Sequence, residues 1–213
     1  TDTGYYSESN IREMCRRNMK FLTLIDTDLT LARSAVDALR KELESMGAVC
    51  HFDYNVAGSS MSIMHEFSYT RQRARGAAAA GDTETFTRRL YLYAFKSSDL
   101  FGKHEASFRQ KLMELKKQLE DGVTEFTEAA RKRIETYFVC SRMGRGGKLH
   151  VTFNEKNCAK AREYFGYFVL VGNSPLEVFE ALENYRLREK IEELFQDEKG
   201  SVDGRRPRIW YPD

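Results

Sequence analysis

The chain has 213 residues, 41% of them hydrophobic and 31% charged, which is enough for one domain with a large insertion or two small domains, each with its own core. No apolar run is long enough to cross a membrane, so a cytoplasmic protein is expected, and the start Thr1-Asp2-Thr3-Gly4 has neither an initiator Met nor a signal-peptide layout and reads as an excised piece. The net charge is only +2, but 71–148 hold 17 Lys and Arg against 10 acids (net +7), leaving 17 against 22 (net −5) elsewhere. A basic module beside an acidic one suits a metal-dependent enzyme acting on DNA, with cations for phosphates and carboxylates for divalent ions; it suits ordinary exposed helices equally well.

In chain order, Asp2-Thr3-Gly4-Tyr5 reads as a loop leaving an earlier strand. Ser7 and Ser9 offer N-caps for a helix to about Asn18, and Lys20–Ile25 reads as a buried strand. Asp28–Met46 is helical in pattern with Gly47 as its C-cap, and Ala48–Phe52 a short strand. Residues 53–89, poorly periodic, with Gly58-Ser59-Ser60 and the low-complexity stretch Arg75–Gly81, predict loops or mobile structure. Leu90–Phe95 alternates as a strand. Phe101–Leu119 then runs at helical spacing with Phe108, Leu112, Leu115 and Leu119 on one face, and turns at Asp121-Gly122 into a second helix over Thr124–Phe138. Leu149–Phe153 is a strand, Asn154–Tyr164 a short helix and Tyr167–Val171 the most apolar strand. Ser174 as N-cap and Pro175 at the first position open a long helix to about Glu198.

That last helix carries the most specific pattern. Tyr185, Arg188, Glu192 and Lys199 are offset by 0, 3, 7 and 14 positions, which at about 100° per residue puts them within roughly 60° of one another. A carboxylate with two cations and a phenol on one face suits a metal beside a phosphate. Leu182, Leu187, Ile191, Leu194 and Phe195 fall mostly on the opposite, buried side. Metal-assisted phosphodiester cleavage needs carboxylates converging from strand ends and packed helices, and Asp2 and Glu192 have the right types and element positions.

Other features read as structural. His51, His65, His104 and His150 lack metal-ligand spacing, and Cys15, Cys50, Cys140 and Cys158, with no Cys-x-x-Cys pair, read as reduced thiols. Arg142–Lys148 reverses the strand-to-helix order of a phosphate-binding loop and reads as a basic turn; Trp210 reads as packing at the edge of the core.

The Tyr-Arg-Glu-Lys spacing resembles the signature of the insertion-sequence-four superfamily of DDE transposases, a bacterial group of mobile elements. Asp2-Thr3-Gly4-Tyr5 resembles the family's box around its second catalytic aspartate, Gly166–Asn173 the strand before its signature helix, and Asp203–Trp210 the tail after that helix. The resemblance implies an α/β fold: an RNase H-like core interrupted by a large mixed, mostly helical insertion. On it, 1–26 would be the first part of the core, 27–165 the insertion region and 166–213 the last part. It further implies cut-and-paste DNA transposition, with Asp2 and Glu192 as catalytic residues and two of three ligands for paired Mg²⁺, for which Mn²⁺ would substitute. Tyr185, Arg188 and Lys199 would contact phosphates at the transposon end. The implied partners are DNA, at transposon ends and target, and a second copy in an active homodimer associated with the nucleoid when bound to DNA. The first aspartate of the triad should precede Asp2 on an earlier strand, and Asp26, Asp28 and Asp53 follow it, so this chain alone is expected to be inactive. Two other functions fit the residues: a structure-specific nuclease on the same core, or a helical interaction module without catalysis.

Overall fold

The computed structural model describes residues 7–70, 83–142 and 149–188. It is a mixed α/β protein with antiparallel strand pairing. In order come α1 (Glu8–Arg16), β1 (Leu22–Ile25), α2 (Thr30–Leu43), β2 (Cys50–His51), β3 (Val56–Thr70), β4 (Thr83–Ser97), α3 (Ser98–Glu120), α4 (Glu128–Tyr137), β5 (Phe138–Arg142), β6 (Leu149–Phe153), α5 (Glu155–Arg162) and β7 (Tyr167–Gly172). A last helix, α6, covers 178–188 among the described residues. Strands β1-β7-β4-β3-β2 form one sheet in that order, and β5 and β6 a second. Among the described residues no helix is long and apolar enough to cross a membrane.

Two compact units divide the chain: Thr1–Leu24, Ser62–Tyr93 and Leu170–Asp213 in unit 1, Ile25–Met61 and Ala94–Val169 in unit 2. In unit 1, α1 starts where Ser7 Oγ accepts the Asn10 N–H at 3.1 Å. It ends by placing Asn18 at φ 54°, with Met19 N–H on the Met14 carbonyl at 2.9 Å and Asn18 N–H on that of Cys15 at 3.3 Å. This pair of bonds satisfies the last carbonyls and turns the chain toward β1. Ile11 and Cys15 form the buried side of α1.

Unit 2 has a distinct small core. Leu112, Leu115 and Leu119 of α3 pack with Phe138 of β5 and Val151 of β6, flanked by Phe108, Ile134 and Phe153. The β5–β6 register runs from Phe138 opposite Phe153 to Arg142 opposite Leu149. Gly122, at φ +81°, makes the turn after α3 that a Cβ would hinder. Another helix of this unit, α2, buries Ala32, Ala35, Val36, Leu39 and Leu43 on one face. Its end is clasped by Glu44, whose Oε1 accepts from Lys96 Nζ at 2.7 Å and from the Tyr167 hydroxyl at 2.6 Å. Lys96 first, and then the phenol, hold that carboxyl below its ordinary range, while burial followed by the carboxylate push the Tyr167 hydroxyl up.

Several sequence expectations need correction. Within 53–89, where loops are expected, 56–70 form β3 and 83–89 the start of β4, while 71–82 lie outside the described residues. In β3, Met61, Ile63, His65, Phe67 and Tyr69 are at least half-buried, while Ser62, Met64, Glu66, Ser68 and Thr70 between them are exposed. Helix α2 stops at Leu43 with Glu44 as its cap, so Gly47 does not close it. The helix over 124–138 is shorter, starting at the Thr127 cap and giving way to β5 at Phe138. Low-complexity Arg75–Gly81 lies outside the described residues, as do Trp210 and residues 143–148 of the basic turn.

Candidate functional site

Of the five residues expected to act on DNA and metal, Tyr185 and Arg188 lie on α6, and Asp2, Glu192 and Lys199 lie outside the described residues. The start of α6 is set by Tyr93, a side chain 1% exposed. Its hydroxyl donates to the Ser174 carbonyl at 3.2 Å and accepts the Leu176 N–H at 2.8 Å. Held this way, 174–176 stay non-helical, and the helix begins at 178 rather than at Pro175. Glu177 takes the capping place instead: its carbonyl accepts Ala181 N–H at 2.9 Å and its own N–H reaches Glu180 Oε2 at 3.3 Å.

From that start, Ala181 and Leu182 are buried, Tyr185 and Arg188 half-buried. Leu187, expected on the buried side, is 55% exposed. Among the described residues, Tyr185 and Arg188 of the polar stripe are thus partly sheltered, and Leu187 lies off the buried side. Tyr185 and Arg188, three residues apart, do share a face, as helical geometry requires.

Arg188 lines a cleft of about 350 Å³ with Asn10, Glu13, Met14 and Arg17 of α1 and its C-cap, and with Phe21 to Thr23 at the start of β1. The charge in this cleft is organised by Glu13. Its carboxylate takes Arg16 through Nε and Nη2, each at 2.8 Å, and Arg17 Nε at 2.6 Å. Hydrogen bonds from Arg16 and then Arg17 lower its pKa to about 2. Glu13 thus stays charged at any ordinary pH and neutralises much of the cation charge beside Arg188. The spacing Glu13, Arg16, Arg17 is an i, i+3, i+4 set legible on a helix, but sequence reasoning missed it because such sets are common on exposed helices.

Among the described residues no group of three or more His, Cys, Asp or Glu could hold a metal ion. The histidines have other surroundings: His51 stacks on Tyr54 at 4.4 Å, His65 meets Phe67 edge-on at 4.5 Å, and His104 meets Phe165 at 5.7 Å. No family model matches this chain, and no curated protein or solved structure matches it.

Proposed function

We propose that the chain is part of a DNA transposase with an RNase H-like core, acting through metal-dependent cleavage and strand transfer at transposon ends. The observation that carries the reading is the cleft shared by Arg188 and α1. Arg188 precedes Glu192 by four residues, one helical turn of sequence, and α1 begins six residues after Asp2. Two segments distant in sequence thus contribute to one cleft, and each is followed or preceded within a few residues of sequence by one of the acids the chemistry requires. The half-buried Tyr185 and Arg188 on one face add a phenol and a guanidinium suited to phosphate.

On this reading Asp2 and Glu192 are two of three acidic ligands, and Lys199 a further phosphate contact. Bound Mg²⁺ would activate the attacking oxygen and stabilise the leaving one. The test is diffraction from crystals of this chain soaked in Mn²⁺. An anomalous peak between the carboxylates of Asp2 and Glu192, with Arg188 beside it, is the expected result; an ordered Asp2 remote from Glu192 would overturn the reading.

A further inference from the structure

Unit 2 contains two adjoining cavities of about 540 and 460 Å³ that share Asp28, His104, Phe108, Tyr137 and Phe165. Both lie in the range of about 300–1,000 Å³ in which small ligands are held. We propose that this cleft binds single-stranded nucleic acid, receiving an unpaired base on its aromatic wall and the flanking phosphates on its basic rim.

The wall is built around Phe108, whose ring is edge-on to Tyr137 at 5.2 Å and to Phe165 at 5.4 Å. Tyr137 and Phe165 are half-buried, each leaving part of its surface to the cavity. The rim carries four basic side chains: Arg33, paired with Asp28, and Lys160 on one cavity, Lys111 and Arg133 on the other. The single carboxylate, Asp28, is engaged by Arg33 Nη2 at 2.7 Å, and its own N–H is held by Asp26 Oδ1 at 2.9 Å. Arg33 also donates from Nε to the Thr27 carbonyl at 3.0 Å and lies over the Tyr164 ring at 5.1 Å from its centroid. It is therefore fixed in place. Lys111, Arg133 and Lys160 are exposed, on three different helices, α3, α4 and α5.

The chemistry selects the ligand. One paired carboxylate cannot hold a divalent cation, so the cleft is not a metal site. A rim of separated cations around rings is the arrangement that tracks a phosphate chain while bases stack, and stacking tolerates any base because each has a π-face. In a duplex those faces are occupied by neighbouring pairs, so the rings can be used only by an unpaired strand. The cleft lies wholly in unit 2, and its binding does not depend on what α6 does.

The test is fluorescence anisotropy with a labelled twelve-nucleotide oligothymidylate on the whole chain, with the unlabelled strand, its duplex with oligoadenylate, and thymidine monophosphate as competitors. The strand should bind, the duplex should compete less well per phosphate, and Lys111→Ala/Arg133→Ala should weaken binding by about tenfold. Lys117→Ala/Lys132→Ala removes the same charge from α3 and α4 away from the cleft and should weaken it by less than half as much on a logarithmic scale. An equal loss in both double variants, or no binding by the parent, would overturn the proposal. Displacement by the mononucleotide at the concentration that displaces the strand would also overturn it, assigning the cleft to a free nucleotide. Because Tyr137 also packs on Phe108, Tyr137→Leu is read only if its circular dichroism matches the parent. It should then lose the quenching of a 2-aminopurine base placed in the strand, an effect a purely electrostatic rim would not produce.

Discussion

Asn173 holds the approach to β1 by gripping Phe21: its Oδ1 accepts the Phe21 N–H at 3.1 Å, and its Nδ2 donates to the Met19 carbonyl at 2.8 Å. One side chain just after β7 thus replaces a pair of backbone bonds at a place where the chain is still turning out of α1. Asn173→Ala should destabilise the protein by about 1–3 kcal/mol, chiefly by leaving the part-buried Phe21 N–H without this partner. Asn173→Asp keeps the acceptor but sets a carboxylate oxygen against the Met19 carbonyl, so at pH 7 it should be at least as destabilising as Ala. Urea unfolding of the two variants checks this; an Asp variant as stable as the parent would show that the Met19 bond is dispensable.

Gly166 and Gly102 make a matched pair for backbone freedom. Gly166 has φ +79°, and a Cβ there would lie 2.7 Å from the Phe101 Cβ and 2.8 Å from the Ser97 carbonyl oxygen. Its own carbonyl accepts the Ser97 N–H at 2.9 Å, which prevents an easy shift. Gly166→Ala should lose about 2–4 kcal/mol from the positive φ and the overlap together. Gly102, inside α3, has nothing within 4 Å of its would-be Cβ, and Gly102→Ala should gain about 0.5–1 kcal/mol. Thermal unfolding should move the two variants in opposite directions.

The cleft beside α6 gives a prediction in which removing an acid improves binding. Glu13→Gln releases Arg16 and Arg17 from their shared carboxylate, leaving Arg17 and Arg188 in a more positive cleft. Affinity for a DNA duplex should rise, and the slope of log affinity against log salt should steepen by about one for each additional phosphate neutralised. Arg188→Ala should do the reverse, weakening binding more than it weakens folding. Filter binding at several salt concentrations measures both; an Arg188→Ala chain that no longer folds would assign Arg188 to structure instead.

Much of this architecture is legible from local pattern. The α3 face of Leu112, Leu115 and Leu119 is found where periodicity puts it, and so are the Ser7 cap and the apolar β7. The failures have physical causes. In β3 the inward side chains include His65 and Tyr69 and the outward ones include Met64, so hydrophobicity alone blurs an alternation that burial shows clearly. The start of α6 depends on the hydroxyl of Tyr93, 81 residues away from Ser174, and no local rule anticipates that Ser-Pro at 174–175 will be held out of a helix. The cleft around Arg188 is another long-range product. Its α1 residues carry ordinary helical spacing, and only folding brings them to the last helix.

His104 supplies a pH dependence whose sign follows from burial. Desolvation holds its pKa below the ordinary 6.5, and its Nδ1 accepts the Gly166 N–H at 3.5 Å, which suits the neutral ring. The charged groups lining its cavities are Asp28, Arg33, Lys111, Arg133 and Lys160, a mostly positive set that gives a protonated ring no counter-charge beyond the already paired Asp28. Well above pH 6.5 the ring is neutral in both folded and unfolded chains and contributes no slope. As pH falls through 6.5 the unfolded chain takes up the proton first, so stability declines until the lower folded pKa is passed and then levels off. Urea midpoints from about pH 8 to about pH 5 should therefore fall in the acid half of the range for the parent, and the decline should be shallower in His104→Gln. A variant with the parent's full acid slope would place the titration in another group. A bound strand should oppose the trend, since phosphate near the ring favours its protonated form, and the decline should shrink when oligothymidylate is present.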